Sequence, residues 1–393
     1  MSSNQHYVFF SRTLPFHGIG GMEIVVWDLL TEISRSGQGR VTVVTTTIPD
    51  KPEKFVEEGV NVVAIPGVKP RRYTRKFWRL SADYFDQNLR KDTTCVVSVA
   101  MGACGLLFQR EQFSDVPIVW QAHGSVVGEV ISKLRTRNPI QILKCLRQIK
   151  YFIREYRALR KVDKIVTVGK IVERTFKSKP YTQYLNEEKI ILIENGIDIR
   201  KFHPSSTIRD ELRNKYNICL DGPLIISASR LILQKGITQG ILGFQKFLEK
   251  VPNAHLLIIG DGPDKNKFQQ LVVKCSLDNK VTFAGAKPYS QMPQYFQMGD
   301  IFLFPTLRVE GAPLNILEAL ATGLSVVASE YLHESQCISP YIYIVDARNA
   351  EEVASGLFKA HQALNQNVVE LSKKYSIQGV TTEYVNLFES LSR

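Results

Sequence analysis

The feature that most constrains the fold of this sequence is an alternation of short apolar runs with longer amphipathic stretches. The apolar runs form two series, separated by a polar, proline-containing segment at residues 203–221. The first series comprises HYVFF, VTVVTTT, NVVAIP, CVVSVA, PIVWQAH, KIVTVG and IILIENG, and the second comprises PLIISASR, HLLIIGDG, VTFAG, IFLFPT, SVVAS and IYIVDA. Such alternation is typical of βαβ units with a parallel sheet. The sequence therefore predicts an α/β protein with two doubly wound, Rossmann-like domains.

The chain length agrees with two domains, because 393 residues exceed the usual size of one. We predict an amino-terminal domain over residues 1–203 and a carboxyl-terminal domain over residues 204–376. Residues 377–393 are helix-like and are predicted to pack back toward the amino-terminal domain. Ligands of open parallel sheets bind beyond the carboxyl ends of the strands. Two such domains facing each other would form a cleft, with the site residues just after the strands.

Composition excludes several classes of protein. Hydrophobic residues make up 44% and charged residues 22%, as in a folded globular chain. The six cysteines are far apart and show neither CxxC nor Cys/His spacing, which argues against a disulfide framework or a zinc site. The N-terminus lacks the pattern of an export signal, and the longest uncharged stretch, Thr93 to Phe108, is too short for a membrane span. We predict a cytoplasmic protein.

The net charge of +12 lies almost entirely in the amino-terminal half. Residues 1–200 contain 31 Lys and Arg against 20 Asp and Glu, whereas the rest contains 19 against 18. Within residues 140–161, cations recur at steps of three or four, as on one face of a helix. They are Lys144, Arg147, Lys150, Arg154, Arg157 and Lys161. The face is either a solvated surface or a surface for anionic lipid, and we predict peripheral binding at the inner face of the plasma membrane.

Two loops carry groups suited to an anion. In SRLILQKG, Arg230 and Lys235 follow a strand and Gly236 allows a turn. An arginine fork and a lysine point charge there could hold a diphosphate, and a solvated loop is the competing interpretation. In HGIGGME, three glycines either let backbone N–H groups approach an anion at a helix N-terminus or form a tight turn. These glycines are Gly18, Gly20 and Gly21.

Two further segments carry candidate polar contacts. EGAPLNILEALATG predicts a helix from Pro313 whose first backbone N–H groups are unpaired and available to an anion. Glu310 at its mouth is either a ligand contact or a simple capping charge. Glu318 has apolar neighbours and needs a hydrogen-bonding partner, for which a ligand hydroxyl is one candidate. His123 ends the strand in PIVWQAH and is either structural or at the edge of the cleft.

Together these segments resemble a known family. The order GIGGME, AHG, ENGID with FHP, SRLILQKG, IIGDGPD, VTFAG and FPTLRVEGAPLNILEALATG is similar to that of the retaining glycosyltransferases of family 4, which have the GT-B fold. The resemblance spans about Val8 to Ser329. The paired glutamates and the upstream Arg/Lys pair make it specific.

The resemblance implies a role for each candidate residue. Arg230 and Lys235 would hold the diphosphate of the donor, and Glu310 would contact the hydroxyls of the transferred sugar. Glu318 would contact the ribose, and His123 would lie by the sugar. Near the diphosphate would lie Gly20 and Gly21, and at the helix start the contacts would be Gly311, Ala312, Pro313 and Leu314. The base would lie by the backbone near Phe283 and Gly260.

The resemblance also implies the chemistry. The donor would be a UDP- or GDP-sugar, and the acceptor a lipid-linked or acidic glycan of cell-surface polysaccharide or lipopolysaccharide. No DxD pair occurs in the sequence, and we expect no metal and no cofactor. Retaining transfer in this family is described as front-face attack, in which the leaving phosphate oxygen takes the proton of the acceptor. We therefore predict no protein nucleophile.

The sequence departs from the family pattern in one loop, and it also leaves room for competing functions. After SVVAS the chain has SEYLHESQCISPY where family members often have a glycine pair and an acidic residue, so contact between the donor and residues 329–341 is in doubt. A nucleic-acid-binding protein would explain the basic half but not the Arg230, Lys235, Glu310 and Glu318 set. We therefore expect no nucleic acid partner. A GT-B epimerase, a phosphorylase or a catalytically silent sugar-nucleotide sensor would share the fold.

Overall fold

The structure is a computed structural model of the chain. It describes residues 5–18, 20–135, 145, 148–205, 207–218, 221–307, 313–330, 342–364, 371 and 373–392. The chain divides into two compact units. The amino-terminal unit comprises Met1–Gly196 with Lys374–Arg393, and the carboxyl-terminal unit comprises Ile197–Lys373.

The amino-terminal unit contains an eight-stranded sheet in its described part, in the order β3-β4-β2-β1-β5-β6-β7-β8. Its strands are β1 (His6–Phe10), β2 (Arg40–Thr46), β3 (Lys54–Glu57), β4 (Val60–Ile65), β5 (Cys95–Val99), β6 (Ile118–Ala122), β7 (Lys164–Thr167) and β8 (Ile190–Leu192). All pairs are parallel except the edge pair of β3 and β4. Strand β3 was not predicted from the sequence, because its residues are at most partly buried and show no apolar run.

Helices cover both faces of this sheet. They are α1 (Gly21–Arg35), α2 (Arg75–Asn88), α3 (Cys104–Phe108), α4 (Val126–Arg135), α5 (Gln148–Leu159) and α6 (Lys170–Phe176). One apolar core joins α2, α3 and α5 to one face, where Val8 and Trp120 lie, and another joins α1 to the opposite face, where Tyr7 and Phe9 lie. Because neighbouring residues of a strand point to opposite faces, nearly continuous apolar strands are what a sheet covered on both sides requires.

The carboxyl-terminal unit contains an all-parallel sheet, in the order β11-β10-β9-β12-β13-β14 within the described part. Its strands are β9 (Leu224–Ala228), β10 (His255–Ile259), β11 (Val281–Gly285), β12 (Ile301–Phe304), β13 (Ser325–Ser329) and β14 (Ile342–Val345). Its helices are α7 (Thr207–Lys215), α8 (Ile237–Leu248), α9 (Lys265–Lys274), α10 (Met292–Gln297), α11 (Leu314–Ala321) and α12 (Ala350–Gln362). The predicted fold class, two doubly wound α/β domains, is confirmed.

The boundaries between the two units fall at 196/197 and 373/374. Both precede the predicted boundaries, which were 203/204 and 376/377. The first shift has a packing cause. Phe202 is 1% exposed, and its ring lies 5.9 Å from that of Tyr289 and 6.0 Å from that of Phe296, both in the carboxyl-terminal unit. At the second boundary, the Tyr375 hydroxyl donates to Glu194 Oε2 (3.3 Å), which ties it to the amino-terminal unit.

The last helix, α13 (Ile377–Leu391), belongs to the amino-terminal unit. Its Phe388 ring lies 5.0 Å from that of Tyr7 in β1. Its Tyr384 hydroxyl accepts a hydrogen bond from Gln121 Nε2 of β6 (2.9 Å). The helix therefore closes the face of the sheet that α1 also covers.

Helix α5 contains Lys150, Arg154 and Arg157 of the predicted cationic stripe, and Lys161 follows its end. Lys144 and Arg147 lie outside the described residues. Its buried side consists of Glu155, Ala158 and Leu159. Two apolar side chains of α5 are exposed, Ile149 at 57% and Ile153 at 45%.

Candidate active site

The loop after β9 contains the predicted pair Arg230 and Lys235. A single 3₁₀ turn, Leu233–Lys235, follows Arg230 and ends at Gly236. The loop is fixed to the segment after β10, because the Leu231 N–H donates to Asp261 O (3.0 Å) and the Leu233 N–H to Asp264 Oδ2 (3.1 Å). The two cations are therefore mounted on an anchored loop at the carboxyl end of a central strand.

Two glycines after β10 allow this close packing. Gly260 has φ 138°, and a Cβ there would lie 2.0 Å from Ser229 O. A Cβ on Gly262 would lie 2.3 Å from Leu231 O. Gly260 was predicted as a donor contact, and the structure gives it a steric role between two loops of the candidate site.

The Lys235 side of the loop lies against the end of β12. Lys235 Nζ is 5.3 Å from the centre of the Phe304 ring. Gly236 has φ 70°, and a Cβ there would lie 1.7 Å from Pro305 O. The Leu307 N–H donates to Gln234 O (3.0 Å). Glycine is therefore required at position 236 on both steric and conformational grounds.

Helix α11 begins beside the same strand ends. Pro313 is its N-cap, in extended conformation, and Leu314 is its first residue. Asn315 Nδ2 donates to Ala228 O at the end of β9 (3.0 Å), which holds the helix start near the Arg230 loop. Asn315 was not among the predicted site residues. Its position in the first turn of the predicted helix could have marked it as a candidate.

The paired glutamates are only partly described. Glu318 lies in α11 and is 4% exposed. Glu310, Gly311 and Ala312 lie outside the described residues, as do residues 331–341 of the loop after β13. Phe283 lies on β11 opposite Ile258, and the Gly260 N–H donates to Gly285 O (3.0 Å), so the predicted base-binding strand borders the site.

The glycine loop of the amino-terminal unit starts α1. Gly20 is the N-cap, and a Cβ on Gly21 would meet no atom of the described residues within 4 Å. Since no described residue occupies the space in front of Gly21, packing within the described part of the chain does not explain its lack of a side chain.

A cation that was not predicted as a site residue lies beside this loop. A Cβ on Gly18 would lie 3.2 Å from Arg71 Nη1. The Arg71 N–H donates to Thr46 Oγ1 (3.0 Å), and His17 Nε2 lies 3.2 Å from Thr46 O. Arg71 belongs to a basic run in the sequence, but its φ of 62° and its proximity to Gly18 arise from the fold.

His123 follows β6, on the carboxyl side of the amino-terminal sheet. Its Nε2 is buried and forms no hydrogen bond with any described residue. Burial lowers the pKa of its imidazole to about 4, so the ring is neutral near pH 7. A buried polar atom without a partner is costly, and a ligand hydroxyl would satisfy it.

In chemical terms, the carboxyl-terminal unit combines two cations with a helix N-terminus at one sheet edge, an arrangement suited to a diphosphate. The described residues include no cluster of three or more metal-ligating side chains. None of the described helices has the length and apolar character needed to cross a membrane.

Comparisons with known proteins identify the family. Residues 19–201 match the family model "Glycosyltransferase Family 4", and residues 208–375 match the model "Glycosyl transferases group 1". The chain belongs to the family 4 type of glycosyltransferases. It is therefore a hexosyltransferase, and the predicted family and enzyme class are confirmed.

Two relatives whose names state an activity match part of this sequence. The alpha-monoglucosyldiacylglycerol synthase of Acholeplasma laidlawii is 28% identical over 74% of this chain and 72% of its own length. The GDP-mannose-dependent alpha-(1-6)-phosphatidylinositol monomannoside mannosyltransferase of Mycobacterium tuberculosis is 28% identical over 41% of this chain, and the match spans 44% of that enzyme.

A solved structure supports the GT-B fold of the enzyme. The sucrose-phosphate synthase of Thermosynechococcus elongatus superposes with a TM-score of 0.78 and covers 98% of this chain and 99% of its own. Its sequence identity is 17%, so this likeness concerns the fold alone.

Proposed function

We propose that this glycosyltransferase moves a hexose from a UDP- or GDP-sugar to a lipid-linked or acidic glycan acceptor, with retention and without a metal. The observation that carries the proposal is the anchored pair Arg230 and Lys235 beside the start of α11. The product would belong to cell-surface polysaccharide, lipopolysaccharide or another glycolipid.

The leaving nucleoside diphosphate gains negative charge as the glycosidic bond breaks. Arg230 and Lys235, with the backbone N–H groups at the start of α11, would stabilise that charge without reorganising, because the loop is already held by Asp264. A preorganised donor of this kind contributes about 3 kcal/mol to the transition state. The leaving phosphate oxygen would accept the proton of the acceptor hydroxyl, so the proposal needs no protein nucleophile.

The remaining contacts follow the resemblance to the family. Glu310 would position the transferred sugar through its hydroxyls, Glu318 would bind the ribose and Gly21 would lie by the diphosphate. His123 would bond a sugar hydroxyl through Nε2. Its lowered pKa supports this role, because a neutral imidazole can share a hydrogen bond with a hydroxyl near pH 7 without adding charge.

The acceptor proposal rests on the names of the relatives and on surface charge. Both names include a lipid, a diacylglycerol in one and a phosphatidylinositol derivative in the other. We propose a lipid-linked acceptor, with peripheral attachment to an anionic membrane face. The cations of that attachment would be Lys144, Arg147, Lys150, Arg154, Arg157 and Lys161.

The test is a panel of UDP- and GDP-sugars, assayed for binding and slow donor hydrolysis with and without EDTA. We would compare the native chain with Lys235→Ala and with Lys274→Ala, an exposed lysine of α9 outside the site. The proposal is supported if one donor binds to the native chain and is hydrolysed in EDTA, and if only the Lys235→Ala variant loses that binding and hydrolysis. Strong binding of oligonucleotides without any nucleotide sugar would overturn it.

A further inference from the structure

A large cationic groove lies on the amino-terminal unit, between α2, α3 and α5. Its volume is about 820 Å³, and Trp78, Phe108 and Tyr156 form part of its wall. Six cations line it: Arg75, Arg79, Arg154, Arg157, Arg160 and Lys161. Among the described residues, no acidic side chain lines the groove.

These six cations lack counter-ions within the described part of the chain. Elsewhere in the same unit, arginines are neutralised: Arg90 pairs with Asp86 and Asp115, both at 2.8 Å, and Arg110 with Asp163 at 2.8 Å. In the groove, Arg154 instead lies over the Trp78 ring (5.6 Å), and Arg160 donates to the Tyr156 hydroxyl (3.1 Å). Six like charges around one concavity repel each other, so a bound anion would stabilise it.

Exposed apolar side chains lie in the groove wall and elsewhere on α5. Phe108 lines it and is 39% exposed. Tyr151, Ile149 and Ile153 of α5 are 48%, 57% and 45% exposed. Exposed aromatic and aliphatic side chains next to cations suit a surface that meets both lipid headgroups and the acyl boundary.

We propose that this groove is a binding site for the phosphate-bearing headgroup of an anionic membrane phospholipid. Arg75 and Arg79 of α2 and Arg154 and Arg157 of α5 would contact the phosphate, and Phe108, Ile149 and Ile153 would lie against the lipid surface. The site differs from the cationic stripe of α5 because α2 supplies half of these arginines and because the groove is concave. It deepens the proposed membrane attachment, on which it rests, by naming the partner.

Charge and shape together favour a lipid over other polyanions. A free phosphate or a nucleic acid backbone would use the arginines but would leave the exposed Phe108, Ile149 and Ile153 side chains in water. A headgroup at a membrane surface uses both. Arginine is also the side chain suited to forked bonding of phosphate oxygens, and five of the six cations are arginines.

The experiment measures binding of the full chain to phosphatidylcholine vesicles, with and without about one third phosphatidylglycerol. The groove variant is Arg75→Gln/Arg79→Gln. The matched control, Lys91→Gln/Lys274→Gln, removes the same charge from two exposed lysines outside the groove. We expect the groove variant to lower affinity for the anionic vesicles at least tenfold and the control to change it less than twofold. Both arginines are exposed, and thermal unfolding of each variant checks that the fold is retained.

A third variant, Arg79→Lys, tests for a discrete site, since it keeps the charge but removes the fork. A loss of severalfold supports the groove. Equal losses in the groove variant and the control would mean diffuse attraction and would overturn the proposal. The proposal would also be overturned if inorganic phosphate or an oligonucleotide bound the native chain as tightly as the vesicles do and if Arg75→Gln/Arg79→Gln abolished that binding. Donor hydrolysis by the native chain without vesicles tests the proposed function separately, so the two failures can be told apart.

Discussion

Each unit links two neighbouring strands through an aspartate that precedes one strand and pairs with an arginine, but the two pairs are buried to different depths. In the amino-terminal unit, Asp163 directly precedes β7, and its Oδ2 accepts the Ile118 N–H of β6 (2.7 Å) and a bond from Arg110 Nη2 (2.8 Å). The Arg110 side chain is 18% exposed and that of Asp163 36%. Water therefore reaches both partners.

In the carboxyl-terminal unit, Asp300 directly precedes β12, and its Oδ2 accepts the Leu224 N–H of β9 (2.7 Å) and a bond from Arg213 Nη2 (2.7 Å). Here the Arg213 side chain is 0% and that of Asp300 9% exposed. Arg213 also donates to Met298 O (2.9 Å) and Gly222 O (3.1 Å). One sequence pattern, an aspartate before a strand, therefore gives a partly hydrated pair in one unit and a buried pair in the other.

Removing the aspartates is the strongest way to test this difference. Asp300→Ala leaves the Arg213 charge buried without its partner, so we expect a loss of about 3–5 kcal/mol of stability. Asp163→Ala leaves a partly hydrated arginine and should cost about 1–2 kcal/mol. Urea unfolding, monitored by hydrogen exchange at the β9 and β6 amides, measures the stability of each unit separately. Equal losses would mean that burial does not distinguish the two pairs.

Replacing one arginine by lysine tests whether the units also differ in function. Arg230→Lys keeps the charge in the carboxyl-terminal loop but loses the fork that the proposed diphosphate site needs, so we expect donor turnover to fall about 10- to 100-fold. Arg35→Lys, on the amino-terminal helix α1, changes an exposed arginine that pairs with Glu32 and should leave turnover within twofold. Steady-state kinetics with the donor found in the panel measures both. Unchanged turnover in Arg230→Lys would argue against a forked contact.

The strands and the fold class were predictable because their pattern is local. A run such as PLIISA needs only its own residues to indicate a buried strand, and β9 covers Leu224–Ala228 of it. Strand β3 was not predictable, because its pairing with β4 in register Lys54↔Val63, rather than its composition, makes it a strand. The division between the units depends on Phe202, whose aromatic partners lie about 90 residues further along the chain.

The site divides in the same way. Arg230 and Lys235 follow a strand end in the sequence, so their shared loop could be predicted. The contacts that hold the site together could not, because Asp264 bonds to the loop across 31 residues and Asn315 bonds to the preceding strand end across 87. Likewise, Arg71 meets Gly18 only in the folded chain. Sequence motifs indicate which groups can act, and long-range contacts determine what holds them.

The two glycine loops, predicted alike as anion sites, provide the next test. Gly236→Ala places a Cβ against Pro305 O in a left-handed conformation and should cost about 2 kcal/mol or more. Gly21→Ala places a Cβ within 4 Å of no described residue and lies at the start of α1, so stability should change by less than about 0.5 kcal/mol. Thermal unfolding without ligand compares the two. If Gly21→Ala then weakened donor binding without changing stability, its glycine would be required by the ligand rather than by the fold.

A second shared arrangement is buried in both units and predicts similar behaviour. His6 begins β1, and its Nε2 lies 2.8 Å from Thr42 Oγ1 on β2. His255 begins β10, and its Nε2 lies 2.8 Å from Thr282 Oγ1 on β11. Burial, with a smaller effect from Arg40 on His6 and from Lys280 on His255, lowers the pKa of each imidazole from 6.5 to about 4.

The sign of the pH dependence follows from these pKa values. Between pH 6.5 and about 4 the unfolded chain binds a proton at each histidine and the folded chain does not, so stability falls as the pH falls through this window. Each histidine contributes at most about 1.4 kcal/mol per pH unit. We expect His6→Asn and His255→Asn to flatten the dependence of unfolding free energy on pH by similar amounts, measured between about pH 7 and pH 5, where most carboxylates stay ionised. A flattening in only one variant would mean that the matching geometry hides a difference in solvation between the two sheets.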